Sequence, residues 1–153
     1  MPVILVRHGQ AAGRRDWRGD DHSRPLTDKG RRQALGLPKV LETYAPQRVL
    51  SSPYRRCVET VEPLAIQFGL SVETTKDLAE GSGATALALV RALADEKVAL
   101  CTHGDVIPDV LIPLADEDRV DLGHHPKQAK GSAWVLEHSD GQFIRATYFP
   151  PVA

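Results

Sequence analysis

The feature that most constrains this chain is a short apolar run, Val3–Val6, that stops at the polar tripeptide Arg7–Gly9. A continuous apolar run rich in β-branched residues is typical of a strand buried on both faces, as in a parallel sheet. The runs Arg48–Ser51 and Lys97–Thr102 have the same form, and polar residues follow them as well. The three runs therefore predict three buried strands of one sheet.

The segments between these runs predict helices. Thr27 is a typical N-cap for a first helix, and Pro38 is expected to kink or restart that helix. Pro53 suits the first turn of a second helix, which Gly69 ends. The apolar face of the first helix is expected to contain Leu35, Leu37, Val40 and Leu41. Two more helices are predicted over Ala84–Ala94 and Val106–Leu114.

The C-terminal part of the chain predicts an antiparallel hairpin. Ser132–Glu137 and Phe143–Phe149 have strand character and flank the turn residues Ser139–Gly141, and Leu70–Thr75 alternates like a further strand. Strands that alternate with helices predict an α/β fold, here a three-layer αβα sandwich with a mostly parallel sheet and this hairpin at its edge. The length of 153 residues favours a single domain over residues 1–153.

Composition and charge exclude several classes of protein. Nineteen Lys and Arg oppose twenty Asp and Glu, so broad binding to a nucleic acid polymer or an anionic membrane is not expected. The only two cysteines, Cys57 and Cys101, cannot form a disulfide scaffold or a four-cysteine zinc module. The first apolar run is too short for a signal sequence or a membrane span, so we expect a cytoplasmic protein.

Reactive side chains follow each of the three predicted strands. Arg7 and His8 follow the first strand, Arg55 and Arg56 come shortly after the second, and His103 follows the third. The carboxyl ends of parallel strands share one edge of a sheet, where ligands of such folds bind. Guanidinium groups match phosphate oxygens, and a neutral histidine whose other ring nitrogen is hydrogen-bonded can act as a nucleophile. The pattern therefore predicts a site for a phosphoryl group.

Five short motifs in this order carry a resemblance to a known family. They are Arg7-His8-Gly9; Leu26, Thr27, Gly30, Gln33 and Ala34; Ser51, Ser52, Pro53, Arg56 and Thr60; Leu78 with Glu80; and His103-Gly104. With them the chain resembles the histidine phosphatase superfamily, which has the phosphoglycerate mutase-like fold. Because Arg56 lies four residues before Thr60 and shares its helical face, Arg56 matches the phosphate-binding position, and Arg55 is expected at the rim or surface.

The resemblance implies a mechanism that needs no cofactor. His8 would attack phosphorus and form a phosphohistidine, and Glu80 would protonate the leaving oxygen and then activate water. The family pattern makes His103 both a catalytic and a phosphate-binding residue. The complete phosphate-binding set is expected to be Arg7, Gly9, Arg56, His103 and Gly104. No metal is implied, because fixed cations stabilise the transferred group.

Two departures from the family pattern concern the proton donor and the lid. Glu80 is followed at once by a glycine-containing turn and a predicted helix, so Asp105 is a reserve acid. The interval between Glu80 and His103 is too short for the lid of the mutases, which retains the intermediate. The brevity resembles SixA-like protein phosphohistidine phosphatases and argues against a mutase-type phosphotransferase.

The loop after His8 contains arginines and no Asn, unlike many members of the family. Arg14, Trp17 and Arg18 are candidates for substrate specificity together with Asp105, and Trp17 could stack on a base. This loop is similar to the phosphatase half of actinobacterial proteins that join a Nudix hydrolase to a histidine phosphatase, of which this chain would be a stand-alone form. The likeness favours a nucleotide or another small phosphate ester as the substrate.

Several alternatives stay open from the sequence. The substrate is either a phosphorylated small molecule or nucleotide, or a phosphohistidine on a partner protein, and the chain acts as a monomer or dimer. A non-catalytic phosphate-binding or regulatory module would keep the same pocket without turnover. A metallohydrolase would draw its ligands from His8, His22, His103, Asp105, His124 and His125, although no tight metal-binding spacing supports one.

Overall fold

A computed structural model describes the whole chain, Met1–Ala153. The strands are β1 (Pro2–Arg7), β2 (Arg48–Ser51), β3 (Val72–Thr74), β4 (Val98–Thr102), β5 (Ala133–Ser139) and β6 (Gln142–Phe149). The α-helices are α1 (Asp28–Leu41), α2 (Arg55–Gln67), α3 (Gly83–Ala92) and α4 (Val106–Asp118), and short 3-10 helices span Asp21–Ser23, Glu42–Tyr44 and Lys76–Leu78. None of the helices combines the length and the apolar character that a membrane span requires.

The six strands form one mixed sheet in the order β3-β2-β4-β1-β5-β6. β2 runs parallel to β3 and β4, and β4 runs parallel to β1, whereas β5 and β6 are antiparallel. Asp140 and Gly141 connect β5 to β6 with φ angles of 51° and 85°, which is the left-handed backbone that a two-residue hairpin turn requires. The predicted fold class, with its mostly parallel sheet and antiparallel edge hairpin, is confirmed.

Each face of the sheet is covered by a pair of helices. On β1, Val3 and Leu5 point to a core formed with α3 and α4, while Ile4 and Val6 point to a core formed with α1 and α2. All four side chains are fully buried. This is the reason for the continuous apolar run: a strand between two helical layers has no solvent-facing side.

Two helix predictions need correction. Leu35 is 68% exposed, because the buried face of α1 contains Gly30, Gln33, Ala34, Leu37 and Leu41. A glycine and a glutamine on that face obscured the apolar pattern. Pro38 does not restart α1, which runs without a break from Asp28 to Leu41. The predicted N-cap does hold, because the Thr27 side chain accepts a hydrogen bond from the Gly30 backbone N–H.

The start of α2 also differs from the prediction. Pro53 lies before the helix rather than in its first turn, since Tyr54 is the N-cap and Arg55 is the first helical residue. The helix is followed by Gly69 with a φ of 66°, as expected for a residue that ends a helix. The helix thus begins two residues after Pro53.

Candidate active site

The carboxyl ends of β1, β2 and β4 open into one polar cleft. β4 lies between β2 and β1 in the sheet, so the residues that follow these strands are neighbours in space. The cleft has a volume of about 620 Å³, and one of its lining residues is hydrophobic. Its lining consists of Arg7, His8, Ala11, Gly13, Arg14, Arg24, Arg56, Glu80, His103, Gly104, Asp105, Gln128 and Lys130. Such a surface suits an anion rather than an apolar ligand.

His8 is held in one tautomer at the base of this cleft. Its side-chain Nδ1 lies 2.7 Å from the carbonyl oxygen of Gly9. Because a carbonyl only accepts, Nδ1 carries the proton in this bond and Nε2 keeps its lone pair. Burial lowers the pKa of His8 to about 3, helped by the charges of His103, Arg56 and Arg7 and opposed by the Gly9 hydrogen bond. The ring is therefore neutral near pH 7.

A hydrogen-bond chain through Thr60 connects the end of β1 to α2. The Gly9 backbone N–H donates to Thr60 Oγ1 at 2.9 Å, and that hydroxyl donates to the carbonyl oxygen of Arg56 at 2.7 Å. A Cβ atom on Gly9 would lie 3.0 Å from the carbonyl oxygen of Gly30, so a side chain there would crowd α1. These contacts set the position of His8 relative to Arg56.

Arg56 is fully buried and spans the cleft. Its Nη2 donates to Glu80 Oε1 at 2.7 Å, and its Nη1 donates to the carbonyl oxygen of Asp21 at 2.9 Å. Its Nε is buried and makes no hydrogen bond. The neighbouring Arg55 instead pairs with Glu59 on the exposed side of α2. The structure thus places Arg56 in the cleft and Arg55 outside it, as the sequence register predicts.

Arg7 faces the cleft from the other side. Its Nη1 donates to the carbonyl oxygen of Gln128 at 2.7 Å, and its Nε is buried without a partner. Gly104 makes room for this guanidinium, because a Cβ at that position would lie 2.7 Å from Nη2 and 2.8 Å from Cζ of Arg7. A side chain at position 104 would therefore displace the Arg7 guanidinium from its place beside the cleft.

His103 is anchored through one ring nitrogen. Its Nε2 lies 2.8 Å from Ser52 Oγ, and the same hydroxyl oxygen accepts from the Tyr54 backbone N–H at 3.3 Å. The other nitrogen, Nδ1, is buried without a hydrogen-bond partner and lies 3.6 Å from Glu80 Oε1. With Nε2 tied to Ser52, His103 presents Nδ1 toward the acidic side chain in the cleft.

Glu80 lies among cationic groups rather than in solvent. Its Oε1 is 2.7 Å from Arg56, 3.6 Å from His103 and 3.8 Å from Arg14, and the side chain is 33% exposed. The next residue, Gly81, has a φ of 79°, and its N–H donates to Asp105 Oδ2 at 2.8 Å. Glu80 therefore lies next to the phosphate-binding candidates, and Asp105 stabilises the turn that follows Glu80.

The specificity candidates divide into two groups. Arg14 and Asp105 line the cleft, whereas Trp17 and Arg18 do not. The indole Nε1 of Trp17 donates to the carbonyl oxygen of Asp20, and the ring packs against Gly19 within its own loop. Trp17 therefore supports the loop conformation. The side chains considered as metal ligands do not come together in a metal site, since no three His, Cys, Asp or Glu side chains form a group suited to a metal.

Five cleft residues were not predicted from the sequence. Ala11 and Gly13 belong to the loop after His8, and the three with long polar side chains are Arg24, Gln128 and Lys130. Arg24 is 8% exposed, and its Nε and Nη1 donate to Asp21 Oδ1 and the carbonyl oxygen of Ala12. Lys130 precedes Gly131, whose N–H contacts the carbonyl oxygens of Arg7 and His8. Gly131, just before the last hairpin, is the one sequence feature that could have pointed to this segment. Its φ of 83° is a left-handed conformation that favours glycine.

Two histidines and two arginines at the carboxyl edge of the sheet of an α/β sandwich form a site suited to a phosphoryl group. Residues 3–86, more than half of the chain, match the model of the histidine phosphatase superfamily (branch 1). The chain belongs to this family. The predicted family is thereby confirmed.

Comparison with individual proteins agrees with this assignment. The chain is 32% identical over 164 residues to an 8-oxo-(d)GTP phosphatase of Mycolicibacterium smegmatis, covering 97% of this chain and 48% of the relative. The chain thus spans about half the length of that relative. The SixA protein of Agrobacterium tumefaciens has the same fold, with a TM-score of 0.81, 23% identity and 98% and 97% of the two chains covered. The structure of the protein histidine phosphatase SixA complexed with tungstate has a TM-score of 0.76 and 23% identity to this chain, with 97% of this chain and 94% of that chain covered.

Proposed function

We propose that this chain is a phosphatase that removes a phosphoryl group by way of a covalent phosphohistidine on His8. One observation carries the proposal: His8 is buried and neutral, and its Nδ1–H is fixed on the carbonyl oxygen of Gly9 at 2.7 Å. This leaves Nε2 as a nucleophile in a cleft that also presents Arg7 and Arg56. A neutral nucleophile beside fixed cations is what attack on a phosphate dianion requires.

In the first step, His8 Nε2 forms a bond to phosphorus while the bond from phosphorus to the leaving oxygen breaks. Arg7, Arg56 and His103 hold the phosphoryl oxygens and stabilise the spreading negative charge. Glu80 gives its proton to the leaving oxygen, so the alcohol departs neutral and Glu80 becomes a carboxylate. The Nδ1 proton of His8 stays on the Gly9 hydrogen bond throughout.

In the second step, water attacks the phosphorus of phospho-His8. The Glu80 carboxylate takes one proton from the water, the phosphorus–nitrogen bond breaks, and inorganic phosphate forms. The electron pair of the broken phosphorus–nitrogen bond returns to His8 Nε2, and Glu80 is again protonated. The fixed cations supply the charge that a metal would otherwise provide, so the proposed cycle involves no metal or other cofactor.

The substrate class has two candidates. The 8-oxo-(d)GTP phosphatase relative supports a nucleotide or another small phosphate ester. The SixA structures share the fold, which supports a phosphohistidine on a partner protein as the alternative. The observation favouring a small ester is the number of cations in the cleft, where Arg14, Arg24 and Lys130 accompany the two arginines assigned to the phosphoryl group.

The test is phosphate release from p-nitrophenyl phosphate in excess chelator. Wild type, His8→Ala and His125→Ala are compared, since His125 is an exposed histidine outside the cleft. We expect turnover in wild type and His125→Ala and a loss of at least about 10³-fold in His8→Ala. A denaturing quench at alkaline pH, where phosphohistidine is stable, should trap phosphate on wild type and His125→Ala but not on His8→Ala. Undiminished turnover in His8→Ala, or activity abolished by the chelator, would contradict the proposal.

A further inference from the structure

We infer that the cleft contains a second anion-binding subsite, formed by Arg14 and Arg24, for a negatively charged group on the leaving portion of the substrate. The group in view is the next phosphate of a phosphoanhydride. The inference rests on the proposed function, because it takes Arg7 and Arg56 as the ligands of the reacting phosphoryl group. It concerns the cations that this step leaves unused.

Arg24 is a built and rigid part of this subsite. The side chain is 8% exposed, and Nε and Nη1 are held by Asp21 Oδ1 at 3.1 Å and the carbonyl oxygen of Ala12 at 2.7 Å. Its third nitrogen, Nη2, makes no hydrogen bond within the chain, and the residue lines the cleft. A buried guanidinium anchored from behind with one free edge is preorganised to donate to a ligand.

Shared carboxylates place both arginines beside the phosphoryl site. The Asp21 side chain contacts Arg24 Nε through Oδ1 and Arg56 Nη2 through Oδ2, at 3.1 and 3.4 Å. The Glu80 Oε1 atom lies 2.7 Å from Arg56 and 3.8 Å from Arg14. Arg14 and Arg24 are thus each one carboxylate away from Arg56. An anionic group adjacent to a phosphoryl bound at Arg56 falls within reach of both.

The charge of the cleft also leaves room for a second anion. Five cationic side chains line it, against the two carboxylates of Glu80 and Asp105, with Asp21 behind the wall. When Glu80 carries the proton that it delivers to the leaving group, the negative charges of Asp105 and Asp21 remain to offset the five positive ones. A phosphate monoester brings a charge of about −2 at pH 7, which leaves a net positive cleft. A phosphohistidine substrate, with a neutral imidazole as leaving group, would leave this charge unused.

The experiment compares binding of methylenediphosphonate and methylphosphonate by calorimetry, in chelator and at about 0.1 M ionic strength. Neither compound is a substrate for hydrolysis, so the result does not depend on turnover. The variants are Arg14→Gln, its matched control Arg18→Gln from the same exposed loop, and Lys130→Gln from the Arg7 side of the cleft. Arg14 is 73% exposed, so its replacement should leave the fold intact.

We expect wild type to bind methylenediphosphonate at least about tenfold more tightly than methylphosphonate, because Arg14 and Arg24 each contact the second phosphonate. Arg14→Gln should reduce that preference about fivefold, while Arg18→Gln and Lys130→Gln keep it. The subsite is overturned if wild type binds both compounds equally. It is also overturned if Arg14→Gln keeps the full preference, or if Lys130→Gln alone loses it. Failure to bind even methylphosphonate would contradict the phosphoryl site and the proposed function together.

Discussion

The carboxylate of Asp105 accepts a 2.8 Å hydrogen bond from the backbone N–H of Gly81 and so ties the start of α4 to the turn that carries Glu80. His103 lies two residues before Asp105, so this one bond connects the segments that carry His103 and Glu80. Asp105 lines the cleft as well, but its Oδ2 is engaged with this backbone donor. A positioning role follows for a residue that the sequence suggested as a reserve acid.

Replacing Asp105 should therefore affect the Glu80-dependent step selectively. Asp105→Ala removes the acceptor for Gly81, and we expect it to slow hydrolysis of an alkyl phosphate about tenfold more than that of p-nitrophenyl phosphate, whose leaving group needs less protonation. Asp105→Asn keeps a side-chain carbonyl acceptor and should retain most of the activity. Steady-state kinetics on both substrates measure this, and equal losses in the two variants would show that Asp105 acts by its charge.

Glu80→Gln should separate substrates by their leaving groups. A general acid contributes about 10²- to 10⁴-fold, so we expect at least a hundredfold loss of kcat on an alkyl phosphate and a much smaller loss on p-nitrophenyl phosphate. Glu62→Gln, an exposed glutamate of α2 outside the cleft, is the matched control. Hydrolysis of the alkyl phosphate by Glu80→Gln at the wild-type rate would rule out Glu80 as the proton donor.

His8 should make the free energy of unfolding depend on pH. Its pKa is about 3 in the folded protein and 6.5 in an unfolded chain, so between these values the unfolded state binds more protons and stability falls as pH falls. From pH 7 to pH 5 the loss is about 2 kcal/mol. Urea unfolding at pH 7 and pH 5 should show this extra loss in wild type and in His125→Asn, but not in His8→Asn. An equal pH dependence in all three would show that folding does not lower the pKa of His8.

Gly104→Ala should weaken phosphate binding through Arg7. The added Cβ would lie 2.7 Å from Nη2 of Arg7, so the guanidinium must move out of its place in the cleft. Losing a charge-assisted hydrogen bond of about 1.5 kcal/mol corresponds to about tenfold weaker binding of inorganic phosphate. Calorimetry on Gly104→Ala, Arg7→Ala and the double variant measures this. Because both changes act on one guanidinium, their effects should not add, and additivity would place Gly104 in a separate role.

The ends of the strands could be predicted from the sequence because burial between two helical layers leaves a strong local signal. Val3–Val6 is apolar at every position since both of its faces are covered. Arg7 and His8 mark the place where that cover ends and the cleft begins. The helical register that separates Arg56 from Arg55 is equally local. Thr27 is a further local case, because its side chain caps a backbone N–H three residues away.

The prediction of the buried face of α1 failed because that face is not wholly apolar. α1 packs through Gly30 and Gln33 as well as through its leucines, because the side-chain Oε1 of Gln33 accepts from the Gln10 backbone N–H and the Gly30 backbone approaches the loop after β1. A periodicity based on apolar side chains cannot detect such contacts. It placed the exposed Leu35 on the buried face instead.

By itself the sequence determined the sheet, the strand-end histidines and arginines, and the family to which they belong, because these depend on short-range patterns of burial and turn. The tertiary structure alone decided the rest of the cleft. Arg24 and Lys130 come from loops without a regular pattern, and contacts distant in the chain place them. Arg7 reaches the carbonyl oxygen of Gln128, 121 residues away, and Gly131 binds the carbonyl oxygens of Arg7 and His8. Such contacts follow from how the folded backbone satisfies its hydrogen bonds, which no local pattern encodes.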